Sequence, residues 1–248
     1  MTTEAIKTEA ELRGITRLAH LTPLRNLVHI VTSDDGLLST TQLTAAERQA
    51  FNQEDLVRLD GHPDHISCSV QYPNAYYLRS KRRDATGEAR LFPDWVCIYL
   101  VPEHLWRDDT LFCTHNASGF GGARVSSGAE TFSAMFADEV QAPQRNWTRD
   151  RHPDFTPTDA QAEVLVRRQV PRDGILGLAV ETEAQARDTY ARLRQLGAPI
   201  QDMPIVIAPS YWTPTPLAVG LAQGVLPVET PWHPPTDEGP DGDPRHGS

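Results

Sequence analysis

Trp95-Val-Cys-Ile-Tyr-Leu-Val101 is an unbroken apolar run fenced by Pro93 and Pro102. It is short for a helix and long enough to cross a sheet, so it reads as a central strand buried on both faces. Working outward, Ile66-Ser-Cys-Ser-Val70 alternates with period two and is ended by Tyr72-Pro-Asn74. That pattern places Ser67 and Ser69 on one face and Ile66, Cys68 and Val70 on the other, a strand with one polar side. Leu111 to Thr114, Glu163 to Val166 and Met203 to Ala208 read as further strands. Thr22-Pro23 has the look of a helix start, with Thr as cap and Pro in the first turn, followed by Leu24, Leu27, Val28 and Val31 at helical spacing and a stop before Gly36. Thr182 and Gln185 form a capping box for a helix through Tyr190, Leu193 and Leu196 that stops at Gly197. Short strands and helices alternating irregularly favour an α+β fold over a doubly wound parallel sheet.

The composition suits one soluble domain: 248 residues, 39% hydrophobic and 23% charged. Residues 1–230 are expected to form that domain. From Pro231 to Ser248 the chain is rich in Pro, Gly and acidic residues and poor in aliphatics, so residues 231–248 read as a disordered tail. With 23 Lys and Arg against 33 Asp and Glu, the net charge of −10 excludes binding nucleic acid by bulk electrostatics. No apolar run approaches the roughly 18 residues of a membrane span, and the polar, acidic start is unlike a secretion signal. Together with three cysteines, too few and too odd in number for a disulfide framework, this points to the cytoplasm.

Several common chemistries drop out. Gly119-Phe-Gly-Gly122 lacks the strand before it, the helix after it and the spacing of a dinucleotide fingerprint. His62, His65, Cys68, Cys113 and His115 carry metal-competent atoms, but their spacing matches no common zinc pattern, and no metal is expected. A serine nucleophile has no G-x-S-x-G elbow to sit on. The stretch from Asn116 to Thr158 is a long loop rich in Gly, Ser, Pro and Arg, with one helix showing Phe132, Met135 and Phe136 on a face. Loops of this length are usually functional.

Three segments stand at junctions between elements: Ile15-Thr-Arg-Leu-Ala-His20-Leu-Thr-Pro23, Arg58-Leu-Asp-Gly-His-Pro-Asp64, and Pro157-Thr-Asp-Ala-Gln161-Ala-Glu163-Val-Leu-Val166. Read singly, His20 is a junction histidine, Arg58 a surface ion-pair member and Glu163 a strand-edge charge. In this order, separated by the long loop, they resemble the DarT family, bacterial toxins that ADP-ribosylate bases in DNA. The resemblance runs from about Gly14 to Trp212.

The resemblance implies an ADP-ribosyltransferase-like split β-sandwich, two antiparallel-rich sheets flanked by helices, with NAD as co-substrate in the cleft between them. It implies Glu163 as the catalytic carboxylate, with Arg58 contacting NAD and helping to deprotonate the attacking base. His20, Leu21, Thr22 and Asn26 would hold NAD, and Tyr76 or Tyr77 would stack on nicotinamide. It further implies a toxin of a toxin–antitoxin or phage-defence system, with single-stranded DNA as acceptor and a macrodomain-type hydrolase as antitoxin. A paired base hides its ring nitrogens, so the acceptor must be single-stranded or flipped and held by stacking and phosphate contacts. Phe120, Arg124, Arg145, Trp147, Arg149, Arg151 and Phe155 in the long loop offer those groups, and Arg79, Lys81, Arg82 and Arg83 form a second basic cluster. Two rival readings are an NAD-dependent transferase acting on RNA or protein, and a non-catalytic nucleic-acid-binding module.

Overall fold

A computed structural model describes residues 2–43, 60–84, 94–200 and 203–235. In chain order the first half comprises α1 (Thr2–Arg13), β1 (Leu18–Pro23), α2 (Leu24–Thr32), β2 (Leu37–Leu38), β3 (His65–Val70), α3 (Ala75–Asp84), β4 (Trp95–Leu100) and β5 (Leu111–Cys113). The second half comprises β6 (Ser126–Ser127), α4 (Ala129–Ala134), β7 (Glu139–Gln141), β8 (Asn146–Thr148), β9 (Glu163–Arg167), β10 (Gln169–Val170), β11 (Ile175–Val180), α5 (Glu183–Gln195), β12 (Ile205–Ile207), α6 (Pro214–Ala222) and β13 (Thr230–Trp232).

Nine strands form one sheet in the order β13-β12-β11-β4-β1-β3-β9-β5-β6. All its pairings are antiparallel except β11 with β12. The fold is thus the mixed, antiparallel-rich architecture expected. β4 lies between β1 and β11, and every residue from Trp95 to Leu100 is buried, as its unbroken apolar run requires.

The two halves of the sheet are joined unevenly. β1 pairs with β4 along its whole length, from Leu18↔Leu100 to Pro23↔Trp95. With β3 it pairs only at Leu18↔Val70 and Ala19↔Ser69, and beyond these residues the ladder stops. The expected pair of sheets is therefore one hydrogen-bonded sheet that forks between β1 and β3.

The local rules hold where several signals agree. Ile66, Cys68 and Val70 enter the main core, and α2 buries Leu24, Leu27, Ile30 and Val31. At α5 the Thr182 hydroxyl accepts the Gln185 amide at 3.2 Å, and Gly197 at φ +72° follows the helix end. Elsewhere the structure corrects the reading. Thr22 is the buried fifth residue of β1 and not a helix cap; α2 starts after Pro23, whose φ of −56° and ψ of 137° suit a strand end. The long loop is not structureless, since it holds β6, α4 and the β7–β8 hairpin. The domain also reaches past residue 230: Pro231 and Trp232 pair with β12, and Trp232 lies 5.6 Å from the Tyr190 ring. No helix among the described residues is long and apolar enough to cross a membrane.

Candidate active site

Where β1 and β3 part, side chains replace the missing ladder. His20 Nδ1 lies 2.8 Å from the Ser67 carbonyl. A carbonyl only accepts, so Nδ1 carries the proton in this contact and the ring orientation is set by β3. The Ser67 hydroxyl donates to Glu163 Oε2. The other carboxylate oxygen, Oε1, accepts the Ala117 backbone N–H at 3.1 Å. Glu163 opens β9, is 8% exposed, and its backbone pairs with Cys113 of β5. Hydrogen bonds thus link β1, β3, β9 and the loop after β5, and they hold the Glu163 carboxylate against Ser67 at the fork.

The polar face read from the sequence of β3 explains this arrangement. Ser67 lies opposite Leu165, two residues from Glu163, so period-two geometry puts its hydroxyl and the carboxylate on the same face. On β1, Thr22 is buried and its hydroxyl accepts from Asn26 Nδ2 at 3.1 Å. Asn26 Oδ1 is buried without a hydrogen-bond partner among the described residues. A buried amide oxygen left over in this way suits a hydroxyl donor such as a ribose. Leu21 is half-buried against the second apolar cluster. Arg58 lies outside the described residues.

The two candidate tyrosines differ. The Tyr77 backbone N–H donates to the Asn74 side chain at 3.0 Å, and its ring meets Trp95 edge-on at 6.1 Å. Tyr76 meets Trp147 of the β7–β8 hairpin at 6.3 Å and lines a pocket beside the start of β9.

The long loop's aromatic and basic groups separate into two kinds. Arg145 stacks on Trp147 at 3.4 Å and Arg124 on Phe120 at 4.1 Å, with both arginines exposed. Phe120 is 45% exposed and adopts φ +50°, a left-handed conformation uncommon for an aromatic residue. Arg151 is also exposed. Arg149 instead donates to the Pro153 and Thr156 carbonyls at 2.8 Å each, and half-buried Phe155 packs near Tyr72 at 6.4 Å. These two side chains hold the loop's own shape. Of the second basic cluster, Arg79, Lys81, Arg82 and Arg83 ride on α3, where Arg82 pairs with Glu181 at 3.2 Å.

Gly122 in the glycine-rich turn has φ +81°, and a Cβ there would stand 2.6 Å from the Asp60 carbonyl. That glycine permits two backbones to meet, which accounts for the motif without a phosphate. His62, Asp64 and His65 come together with ligand atoms within 4.8 Å of one another, but Asp64 is engaged by His65 Nδ1 at 2.8 Å and by Arg167 at 3.3 Å. His115, seen in the sequence only as a metal-competent atom, is fully buried two residues from Ala117, with its ring 5.2 Å from Phe120. Burial, assisted by Arg124, holds its pKa below the usual histidine value despite the Asn116 carbonyl, which takes its Nδ1 at 2.7 Å.

A family model described as DarT, ssDNA thymidine ADP-ribosyltransferase, matches residues 19–212. Thermus sp. 2.9 DarT in complex with ADP-ribosylated ssDNA is 16% identical with a TM-score of 0.53, over 80% of this chain and 97% of that one. The same organism's DarT in complex with NAD+ is 15% identical with a TM-score of 0.51, over 79% and 97%. Thermosipho africanus DarTG in complex with ADP-ribose is 14% identical with a TM-score of 0.49; the match covers 79% of this chain and 51% of that one, about half its length. At such identities the similarity is one of fold. No curated protein matches the sequence.

Proposed function

This chain belongs to the DarT family of single-stranded DNA thymidine ADP-ribosyltransferases, and we propose that it transfers ADP-ribose from NAD to a thymidine base of single-stranded DNA with Glu163 as the catalytic carboxylate. The observation that carries this reading is the hydrogen-bonded line from His20 through Ser67 to Glu163 across the fork of the sheet. NAD is the substrate that supplies the ADP-ribosyl group. The bond from ribose C1′ to nicotinamide nitrogen breaks and its electron pair leaves with the ring, which becomes neutral. A ring nitrogen of the base forms the new bond to C1′ and gives up its proton.

Positive charge grows on the ribose as that bond stretches. A carboxylate held by Ser67 and Ala117 needs no reorientation to meet it, so the interaction is stronger in the transition state than in the ground state. His20, Leu21, Thr22 and Asn26 hold NAD, the last through its leftover amide oxygen. Arg58 contacts NAD and assists proton removal, and Tyr76 or Tyr77 covers the nicotinamide. Phe120, Arg124, Arg145, Trp147 and Arg151 grip the strand. Arg149 and Phe155 support that surface from within.

The enzyme works in the cytoplasm as a toxin, and its neutralising partner is a macrodomain-type hydrolase that removes ADP-ribose. Labelled NAD incubated separately with single-stranded DNA, RNA and protein tests the acceptor. Label is expected on thymidine-containing DNA alone; transfer to RNA or protein in its place overturns the assignment.

A further inference from the structure

Four residues before Glu163, Asp159 is fully buried and only half used. Its Oδ1 accepts the Gln161 N–H at 2.8 Å, while Oδ2 has no hydrogen-bond partner among the described residues. Asp159 lines a pocket formed where β3 ends and β9 begins, together with Ser69, Tyr72, Tyr76, Trp147 and Leu217. Its walls are mostly apolar and aromatic, and its free volume is about 20 Å³, room for one water-sized group. At its rim stand Trp147 and the exposed Arg145 that lies over it, both assigned above to the DNA strand, and Tyr76 meets Trp147 there edge-on.

An ionised carboxylate accepts hydrogen bonds and cannot donate them. A buried one with an oxygen left over costs stability unless something fills that position, and a buried acceptor of this kind selects sharply for the group that satisfies it. The space admits an amino group and excludes a ring, whereas the aromatic rim suits a ring and not a lone ion. We propose that this slot receives the exocyclic amino group of a base flanking the acceptor thymidine, with Asp159 Oδ2 accepting its N–H while the base lies against Tyr76 and Trp147, which leaves Tyr77 to cover the nicotinamide. Asp159 is then a specificity-determining residue for the sequence in which the thymidine is modified. The inference rests on single-stranded DNA being the substrate, and its neighbourhood supports that use, because Ala162, which also lines the slot, adjoins Glu163 in the chain.

The test uses oligonucleotides with a single thymidine. Cytosine or adenine at each flanking position is compared with pyrimidin-2-one or purine, which differ only in lacking the amino group. At one flanking position the wild-type protein should modify the amino-bearing strand at least tenfold faster than its analogue. Asp159→Asn keeps the size and Oδ1 but turns a donor into the slot, so the same position should lose this preference or reverse it toward a keto-bearing base such as hypoxanthine. Wild-type activity that ignores the amino group at every position overturns the inference and leaves the ADP-ribosyltransferase reading intact. So does an Asp159→Asn protein slowed equally on all strands, the result expected if the slot holds a structural water or serves NAD. A wild-type protein inert on every oligonucleotide instead overturns the reading of function itself.

Discussion

Glu229 and Asp159 are both partly or wholly withdrawn from water, and they are treated in opposite ways. Glu229 meets the Arg17 guanidinium and the Tyr211 hydroxyl, and Tyr211 in turn touches Tyr99 at 3.0 Å. Burial alone would raise its pKa, but the Arg17 and Tyr211 hydrogen bonds outweigh that and hold it below the usual carboxylate value. Asp159 has one backbone donor, and burial pushes its pKa up to about 6 against the Gln161 hydrogen bond and Arg145. The first carboxylate fastens the segment before β13 to the start of β1. The second is held at a cost to stability four residues before Glu163. Glu229 has its partners complete and ties two segments together, whereas Asp159 keeps one oxygen over among the described residues. Glu163, whose two oxygens both accept hydrogen bonds, stands between them and must be sorted by experiment.

The contrast is tested first at Glu163. Glu163→Gln keeps a side chain of the same size but removes the charge, and transfer to DNA should fall by about 10³-fold, ~4 kcal/mol of transition-state stabilisation. Its melting temperature should stay close to that of the wild type. A loss of folding in place of catalysis would move Glu163 to the scaffold class with Glu229.

Next in size is the scaffold pair. Arg17→Met leaves the Glu229 carboxylate without its cation and should destabilise the protein by about 2–3 kcal/mol in chemical denaturation, less than for a fully buried pair because both groups keep some contact with water. Glu229 has a depressed folded pKa, so its contribution is present above the unfolded carboxylate value and is lost as pH falls through the folded one. The Arg17→Met penalty should therefore shrink in acid. A penalty that stays constant with pH would show that Arg17 acts through packing.

Asp159 should behave in the reverse sense. Its folded pKa lies above the unfolded value, so the folded state is favoured below about pH 4 and loses that advantage as pH rises through about 6. Asp159→Asn should stabilise the protein by roughly 1–2 kcal/mol at pH 8, less than the ~3 kcal/mol of a two-unit shift because the slot can relax, and by nothing near pH 4. A variant that gains stability while losing sequence preference is the signature of a charge kept for function. Destabilisation at pH 8 would make Asp159 a scaffold residue.

The smallest effect is expected at the rim. Trp147→Ala should raise the KM for the oligonucleotide about tenfold, ~1.4 kcal/mol, with a smaller change in the KM for NAD. Equal changes in both would mean that the hairpin shapes the NAD site.

Much of the frame was legible because local and tertiary signals agree there. Trp95 to Leu100 has no polar residue to place at a surface, β3 alternates, and α5 has a cap, an apolar stripe and a terminal glycine. Three kinds of element were not. α1 is almost wholly polar and docks through Ile6 and Ala10, too sparse a pattern to give a period. α6 begins Pro214-Thr-Pro216, which reads as loop although proline is tolerated in a first turn. The paired strands β7 and β8 have three residues each, shorter than any alternation that can be counted.

At the site, His20, Asn26 and Glu163 stand out only through the family resemblance, since the residues read singly give no chemistry. Their partners do not stand out even then. Ser67 looked like the polar face of a strand, Ala117 contributes only its backbone, and the leftover oxygen of Asp159 exists because of what the tertiary structure fails to put beside it. Trp147, Arg149 and Phe155 came from one loop and were indistinguishable by composition; only packing separates the ring at the rim from the side chains that hold the loop.

The most direct measurement is the intact mass of a thymidine-containing single strand after incubation with NAD and either the wild-type protein or Glu163→Gln. The wild type should add the mass of one ADP-ribose to the strand with release of one nicotinamide, and Glu163→Gln, folded and still binding NAD, should leave the strand unmodified over the same period. A strand modified equally by both proteins would contradict the central role given to that carboxylate.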